Sequence, residues 1–116
     1  FWANLGNARR EVGDPTRAEQ AYRKALEYDP RSADAANGLG VLLVQQRRAA
    51  EAVRWFEQAL AGSPGFVEAR LNLGIAYQQS GDIEKARETY RRVQKETPPD
   101  AKEHRAASYL LRSLER

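Results

Sequence analysis

The sequence contains no cysteine, no methionine and only one histidine among its 116 residues. Without cysteine, the chain can form no disulfide bond, thiolate metal site or thiol nucleophile. No stretch approaches the roughly 20 apolar residues that a membrane-spanning helix needs, and the first residues lack the pattern of a signal peptide. We therefore expect a soluble segment. The composition favours the cytoplasm and is also compatible with the periplasm.

The chain also lacks an initiator methionine, because it starts at Phe1. We therefore expect it to be a portion of a longer protein. Hydrophobic residues make up 41% and charged residues 30% of the sequence, which is ordinary for a folded protein and argues against disorder. We expect residues 1–116 to form a single domain.

The most informative pattern is an internal repeat of 34 residues, in which the same residue types return in three copies. The repeated positions are Leu5, Leu39 and Leu73; Gly6, Gly40 and Gly74; Ala18, Ala52 and Ala86; Tyr22, Phe56 and Tyr90; and Pro30, Pro64 and Pro98. A repeat of this length predicts stacked helix pairs. The copies span about 1–32, 33–66 and 67–99, and a closing helix follows at about 100–116.

Each copy has the apolar spacing of two amphipathic helices, a first helix A and a second helix B. In the first copy, helix A is expected at 2–12 and helix B at about 15–28. Gly13 supplies the left-handed residue that ends helix A, and Asp14 can cap the free N–H groups of helix B. Pro15 follows at a position where a missing N–H costs nothing.

The turn between the helices differs in the second copy. The third copy repeats the glycine and aspartate as Gly81 and Asp82, whereas the second copy has Arg47 and Arg48 there. A left-handed arginine costs on the order of 1 kcal/mol, and the cap is also lost. We therefore expect a looser or reshaped turn in the second copy.

The predicted fold is all-α: a superhelical solenoid of three antiparallel helix pairs and a capping helix, seven helices in total. Gly6 and Ala18 are expected where the two helices of a pair cross, because small residues allow a close approach. Asp100 and Glu103 have the spacing of a capping box for the last helix. Its outer side is expected to carry His104, Ser108, Leu111 and Leu114.

The pattern resembles the tetratricopeptide repeat family from residue 1 to about residue 100. The residues that carry this resemblance are Trp2, Leu5, Gly6, Gly13, Ala18, Tyr22, Ala25 and Pro30, with the stretches Asn4-Leu5-Gly6-Asn7 and Asp29-Pro30-Arg31-Ser32. Ala36 and Arg70 depart from the pattern at the place of Trp2. The resemblance implies a right-handed superhelix whose A helices line a concave groove for an extended peptide or a partner helix.

Helical periodicity assigns side chains to the inward face of the A helices and of the closing helix. The predicted groove residues are Asn4, Asn7, Asn37, Val41, Gln45, Leu71, Asn72, Ile75, Gln79, Arg105 and Tyr109. Glu11, Asp34, Glu68, Lys102 and Arg112 are placed on the same face. Amide side chains carry donors and acceptors that can bond a peptide backbone. The alternative is that these asparagines are solvated positions typical of the family.

A carboxylate clamp binds the acidic C-terminus of heat-shock chaperones in some members of the family. At the places of its two lysines, two asparagines and arginine, this chain has Ala3, Asn7, Gly38, Glu68 and Asn72. Every cation is missing and an anion is added. Since charge-assisted hydrogen bonds contribute about 1.5–3 kcal/mol each, we expect no binding of the chaperone tail.

The first helix carries an apolar strip formed by Phe1, Leu5, Ala8 and Val12. Exposed strips of this kind are uncommon in monomers. We expect that the strip either packs against further repeats preceding Phe1 in a longer protein or pairs with another molecule. It therefore indicates a second class of function, in which the chain is a structural spacer or self-associates through its N-terminal end.

Nucleic-acid binding and catalysis have weaker support. The net charge is +3, and Arg23, Lys24, Arg91 and Arg92 lie on outer B-helix faces, but the middle repeat interrupts them. His104 has no partners at the spacing of a triad or a metal site. We expect no enzyme activity, no cofactor and no nucleic-acid partner.

Overall fold

The computed structural model describes residues 2–115, which form seven helices and contain no strand. The helices are α1 (Trp2–Glu11), α2 (Pro15–Tyr28), α3 (Ala33–Gln45), α4 (Ala49–Gly62), α5 (Val67–Gln79), α6 (Ile83–Glu96) and α7 (Lys102–Leu114). The A helices are α1, α3, α5 and α7, and the B helices are α2, α4 and α6. The predicted fold class is confirmed. Among the described residues, no helix combines the length and the apolar character needed to cross a membrane.

The helices form two curved layers within an envelope of 38 × 25 × 22 Å. Each helix contacts the next one along the chain, and each A helix also contacts the following A helix. The A helices therefore lie side by side in one layer, while the B helices cover their outer side. This arrangement leaves one face of the A layer open as a concave surface.

The turns of the first and third pairs have the predicted chemistry. Gly13 and Gly81 have φ angles of 78° and 93°, in the left-handed region that favours glycine. The Asp14 carboxylate accepts a hydrogen bond from the Arg17 backbone N–H at 3.2 Å, and Asp82 accepts the equivalent bond from Lys85 at 3.3 Å. These N-caps satisfy one free donor at the start of α2 and one at the start of α6.

The turn of the second pair is not reshaped, so that part of the prediction was wrong. Arg47 adopts the left-handed conformation with φ 61°. The Arg48 N–H donates to the Leu43 carbonyl at 2.8 Å, and the first turn has the same bond from Asp14 to Arg9 at 2.9 Å. Packing of the two helices therefore imposes the geometry on an unfavourable residue.

Arg48, at the N-cap position of α4, forms side-chain ion pairs and does not cap the helix. No side-chain cap hydrogen bond is present at Arg48. Its guanidinium instead contacts Glu51 at 2.8 Å and Glu19 on the preceding B helix at 3.3 Å. The hydrogen bond from Arg48 holds the pKa of Glu51 below its ordinary value. The turn thus links two repeats electrostatically.

Aromatic rings fill the centre of each helix pair and contact the repeated glycines. A Cβ atom added to Gly6 would lie 2.7 Å from the Tyr22 ring, and one added to Gly40 would lie 2.5 Å from the Phe56 ring. Tyr22, Phe56 and Tyr90 are fully buried. The glycine is therefore required because the ring of helix B occupies the space of its side chain.

The closing helix α7 differs from the prediction at its start. It begins at Lys102 with Ala101 as N-cap and no side-chain cap bond, so the expected capping box of Asp100 and Glu103 does not form. The Ala101 N–H donates to the Pro98 carbonyl at 3.0 Å. This turn moves the helix start one residue beyond Asp100, out of capping register.

The face of α7 expected to point outward packs against α6 instead. Leu111 is 8% exposed and lies in the core cluster around Tyr90. Ser108 accepts a hydrogen bond from Gln94 at 2.8 Å, and His104 Nδ1 lies 3.2 Å from the Thr97 carbonyl oxygen. The helix therefore covers the last pair with a mixed face of hydrogen bonds and apolar contacts.

The N-terminal strip lies partly exposed on α1. Phe1 lies outside the described residues. Val12 is 75% exposed, Ala8 is exposed and Leu5 is half-buried. The surface predicted for self-association is therefore accessible over its described members.

Candidate functional site

The concave face of the A layer contains a groove of about 450 Å³ across α1, α3 and α5. Three successive repeats contribute to it because their A helices lie side by side. The groove is lined by Asn4, Asn7, Arg10, Asp34, Asn37, Gly38, Val41, Phe66, Glu68 and Asn72. Five predicted residues, namely Asn4, Asn7, Asn37, Val41 and Asn72, are thus brought together.

The groove asparagines differ in how far they are engaged within the protein. Asn7 accepts a hydrogen bond from the Tyr22 hydroxyl. The Asn72 amide donates to the Asn37 carbonyl oxygen at 3.1 Å, and Asn37 is only 9% exposed. Asn4 is exposed. These internal bonds hold the amides of three helices in fixed orientations along the groove floor.

The groove asparagines do not use all of their amide donors within the protein. Among residues 2–115, no fully buried side-chain nitrogen or oxygen atom lacks a hydrogen-bond partner. The Asn37 oxygen accepts the bond from Asn72, and the Asn37 amide nitrogen donates no side-chain hydrogen bond among the described residues. A backbone carbonyl of a bound segment is a suitable acceptor for such donors.

Gly38 is a groove residue that sequence reasoning did not include in the binding site. A Cβ atom at Gly38 would lie 2.3 Å from the Tyr22 ring and 3.0 Å from its hydroxyl oxygen. The glycine therefore makes room for the Tyr22 side chain to reach Asn7 beneath the groove. The sequence contained a signal for this residue. Gly38 occupies the repeat position at which the other two repeats have Asn4 and Asn72, both predicted to line the groove.

Arg10 and Phe66 also line the groove and were not predicted. Arg10 follows Asn7 by three residues on the same helical face, a spacing that was available in the sequence. Phe66 precedes α5 and is its N-cap residue, so helical periodicity did not place it. Glu11, expected on the inward face, is exposed and does not line the groove.

The groove carries charge of both signs. Asp34 and Glu68 occupy the first turns of α3 and α5, where the helix dipole favours a carboxylate. Arg10 lies near the end of α1. Burial raises the pKa of the Tyr22 phenol beneath them, against the opposing influence of Arg10. The phenol therefore remains a neutral hydrogen-bond donor at physiological pH.

A second hollow of about 360 Å³ extends the concave surface between α5 and α7. Glu68, Leu71, Asn72, Lys102, Glu103 and Ala106 line it. It contains the predicted residue Leu71 and shares Glu68 and Asn72 with the groove. Leu71 and Ile75 are half-buried because they also pack against the Tyr90 cluster. Less of their apolar surface is therefore accessible to a bound peptide than their prediction as groove residues implied.

The remaining predicted residues line neither hollow. Gln45 and Gln79 are exposed at the last residues of α3 and α5. Arg105 is exposed on α7, and Tyr109 is 63% exposed on the same helix. No group of three or more potential metal-ligating His, Cys, Asp or Glu side chains occurs among the described residues.

Comparisons with known proteins identify the repeat. Family models described as tetratricopeptide repeat match residues 4–66 and 43–108. The chain is 38% identical over 68 residues to the peroxisomal targeting signal receptor of Kluyveromyces lactis, covering 59% of this chain and 12% of that protein. It is 31% identical over 93 residues to the human protein O-mannosyl-transferase TMTC3, covering 79% of this chain and 10% of that protein.

Solved structures share the fold. The first tetratricopeptide domain of Spaghetti (RPAP3), bound to the HSP90 peptide SRMEEVD, has a TM-score of 0.87 at 22% identity, covering 98% of this chain and 89% of that one. The second such domain of human RPAP3, in complex with the HSP70 peptide SGPTIEEVD, has a TM-score of 0.89 at 19% identity, covering 99% and 92%. The chain belongs to the tetratricopeptide repeat family.

Proposed function

We propose that the chain is a scaffold for protein–protein interaction that binds an extended segment of a partner in the groove. The observation that carries this proposal is the convergence of four asparagines and Val41 from three A helices on one concave surface. Amides bond the backbone of an extended chain without depending on its side chains. Val41 adds an apolar contact that favours certain side chains over others.

The comparisons support this function at the level of the fold. Two domains of similar structure are described as bound to chaperone peptides, and one relative is described as a receptor for a targeting signal. The chain spans 12% or less of the curated relatives it matches. We therefore propose a binding function for residues 1–116 as one domain, and do not extend the activities of the larger relatives to it.

We propose that chaperone tails are not the ligand, although both similar domains bind them. The groove has Glu68 where the family's clamp has a lysine, and Gly38 and Asn72 supply no charge at two further clamp places. A terminal carboxylate would approach Glu68 without a compensating cation from α3 or α5. A micromolar dissociation constant for SRMEEVD, measured by isothermal titration calorimetry, would contradict this proposal.

We propose further that the chain has no catalytic role. Its single histidine lies against Thr97, and the concave surface presents amides and isolated charges. One relative is described as a transferase, but the chain covers 10% of it. We expect the repeat segment of such a protein to bind, with chemistry performed elsewhere.

The groove proposal is tested by selecting binders from a displayed library of random 12-residue peptides. Val41→Trp fills the groove, and we expect it to weaken selected peptides at least tenfold. Glu88→Trp, at an exposed site on α6, is the matched control and should leave affinity unchanged. Circular dichroism of both variants establishes that they fold. Selected peptides that bind both variants equally would exclude the groove as their site.

The asparagines themselves are poor positions for this first test. Asn7, Asn37 and Asn72 each take part in an internal hydrogen bond, so alanine there would change packing as well as binding. Asn4→Ala is the informative substitution because Asn4 is exposed and lines the groove. We expect it to weaken a selected peptide by a few-fold without changing the melting temperature.

A second function, self-association through the N-terminal strip, is favoured by one specific observation. Leu39 and Leu42, at the places of Leu5 and Ala8 in the second repeat, are buried in one core cluster with Ala18 and Tyr22 of the preceding B helix, whereas Leu5 is half-buried and Ala8 is exposed. The strip is therefore a helix-docking surface without its counterpart among the described residues. Sedimentation velocity should detect dimers at high concentration that Val12→Asp abolishes; a monomer at all concentrations would exclude this function.

A further inference from the structure

The closing helix presents an exposed row of cations around one aromatic ring. Lys102, Arg105, Tyr109 and Arg112, here called the α7 stripe, follow one another at spacings of three and four residues and therefore share one helical face. All four are exposed, and Tyr109 is 63% exposed. The stripe carries three positive charges on an accessible surface.

These cations differ from most of the arginines on the B helices. Arg17, Arg23, Arg87 and Arg92 each form an ion pair with a carboxylate three or four residues away. No ion pair of Lys102, Arg105 or Arg112 occurs among the described residues. Glu103 lines the hollow between α5 and α7, and Glu115 follows the helix. The positive charge of the stripe is therefore not neutralised by direct pairing.

The stripe begins at the concave surface, where Lys102 lines the second hollow, and its other members follow along α7 outside the two hollows. Tyr109 occupies the same place in its repeat as Asn7 and Val41, which line the groove, and as Ile75, which packs against the Tyr90 cluster. Lys102 occupies the place of Asp34 and Glu68, and it lines the hollow that shares Asn72 with the groove. Along this surface, the charge thus changes from negative on α3 and α5 to positive on α7.

This reversal constrains the segment that the surface can bind. Neighbouring helices lie about 8–10 Å apart and an extended chain advances about 3.3 Å per residue, so roughly three residues span each A helix. A segment crossing from α5 to α7 therefore passes from the negative to the positive environment within about three residues. Acidic side chains are favourable over α7 and unfavourable beside Asp34 and Glu68.

We infer that the α7 stripe selects partner segments that carry a cluster of acidic side chains at one end and none at the centre. This inference rests on the proposed function of the groove and names its ligand class. Arg105 and Arg112 bond the acidic side chains, and the Tyr109 ring packs against the apolar parts of the same residues. Recognition is of side-chain carboxylates over α7 and does not need a terminal carboxylate. This distinguishes the segments from the chaperone tails, whose terminal carboxylate would approach Glu68.

The peptide selection described above, made with C-terminally amidated or internally displayed peptides, tests this inference. Peptides selected on the unmodified protein are expected to carry acidic residues clustered at one end. Selection on Arg105→Gln/Arg112→Gln should lose this cluster. Selection on Lys24→Gln/Arg91→Gln, which removes the same charge from exposed sites on α2 and α6, should retain it. By fluorescence polarisation, the α7 variant should weaken an amidated selected peptide about five- to tenfold at low salt and less at high salt.

The outcomes separate this inference from the function on which it rests. Peptides that depend on Val41 but have no acidic cluster, or whose affinity is unchanged by the α7 variant, would overturn the inference and leave the groove function intact. A selection that yields no peptide sensitive to Val41→Trp would overturn both. Displacement of a selected peptide by a single-stranded oligonucleotide, abolished by the α7 variant, would assign the stripe to nucleic acid and overturn the acidic-segment inference.

Discussion

Single glycines and single rings determine how closely the helices of this protein approach. Gly6, Gly40 and Gly74 recur because a buried ring of the paired B helix occupies the space of a Cβ atom. Gly38 has the same contact with Tyr22 but occurs only in the second repeat. A repeated glycine therefore reflects the hairpin, whereas the unrepeated one reflects the contact between the Tyr22 hydroxyl and Asn7.

Gly40→Ala should lower the free energy of unfolding by about 1–2 kcal/mol. The added methyl would lie 2.5 Å from the Phe56 ring, and such overpacking costs about 1–3 kcal/mol, offset in part by the higher helix propensity of alanine. Urea denaturation measures the change. Gly65→Ala is the control, because no atom lies within 4 Å of its added Cβ atom. Equal stability of the two variants would contradict the prediction.

Arg47→Gly should raise the free energy of unfolding by about 0.5–1 kcal/mol. Arg47 has φ 61°, which costs about 1–2 kcal/mol for a residue with a Cβ atom, and glycine's greater freedom in the unfolded chain cancels only part of this gain. Thermal denaturation measures the difference. Gly81→Ala, at φ 93°, should change stability in the opposite direction.

The unmodified turn of the second pair is still expected to be looser than that of the third, because Arg47 is left-handed and α4 has no side-chain cap. Hydrogen exchange should therefore be faster at residues 47–50 than at residues 81–84.

At the scale of the elements, the same place between helices A and B is filled in three different ways. Equivalent positions 26 residues apart hold Trp2 and Tyr28 in the first repeat, Ala36 and Gly62 in the second, and Arg70 and Glu96 in the third. Trp2 and Tyr28 line a hollow, Gly62 leaves room for the Arg31 carbonyl, and Arg70 and Glu96 form an ion pair of 3.1 Å. The same two repeat positions therefore carry different chemistry in each repeat.

The coupling free energy should be larger for the ion pair of Arg70 with Glu96 than for the more exposed pair of Arg92 with Glu96. Arg70 has a side chain that is 10% exposed, whereas Arg92, which binds the same Glu96 carboxylate, is 61% exposed. Double-mutant cycles with alanine should give a coupling free energy of about 1 kcal/mol or more for Arg70–Glu96 and less than about 0.5 kcal/mol for Arg92–Glu96. Equal coupling in the two cycles would show that burial of Arg70 does not strengthen the pair.

At the scale of the whole molecule, the first repeat has one buried phenol, Tyr22, and the third has the buried Tyr90 and the half-buried Tyr77. Burial raises the pKa of Tyr22, Tyr77 and Tyr90 above the ordinary value for tyrosine. Nearby Glu57 and Asp82 add to this shift at Tyr77. Since repeats in a solenoid are stabilised by their neighbours, ionisation of these phenols would affect the array as a unit.

The contribution of these phenols to stability should therefore be constant between about pH 7 and 9.5 and fall as the pH rises above about 10, where the phenols of the unfolded chain ionise. The folded state keeps them neutral, so the stabilisation is present below the unfolded pKa and is lost above it. Thermal melts between pH 8 and 11.5 measure the fall. Tyr90→Phe should make the fall in stability with pH shallower. Tyr109→Phe, at an exposed side chain, is the control and should leave the fall unchanged. An unchanged slope in Tyr90→Phe would contradict this assignment.

Local chemistry in the sequence determined much of this protein. Periodic apolar residues, the caps Asp14 and Asp82, and the left-handed Gly13 and Gly81 act within a few residues of one another. Their effects could therefore be predicted together with the seven helices, while the arrangement of the A helices around a groove was implied by the family resemblance. Five of the eleven predicted site residues also line the groove, because the helical period alone directs them inward.

Tertiary structure decided the features that depend on contacts between distant residues. Packing imposed the left-handed conformation on Arg47, and the Pro98 turn moved the start of α7 away from Asp100. Asn37 bonds Asn72 across 35 residues, which turned two amides predicted as free ligands into partners of each other. Such contacts depend on the distance and angle between helices, and a repeat period specifies these only on average. The groove's position followed from the sequence, while the available donors and charges within it followed from the packing.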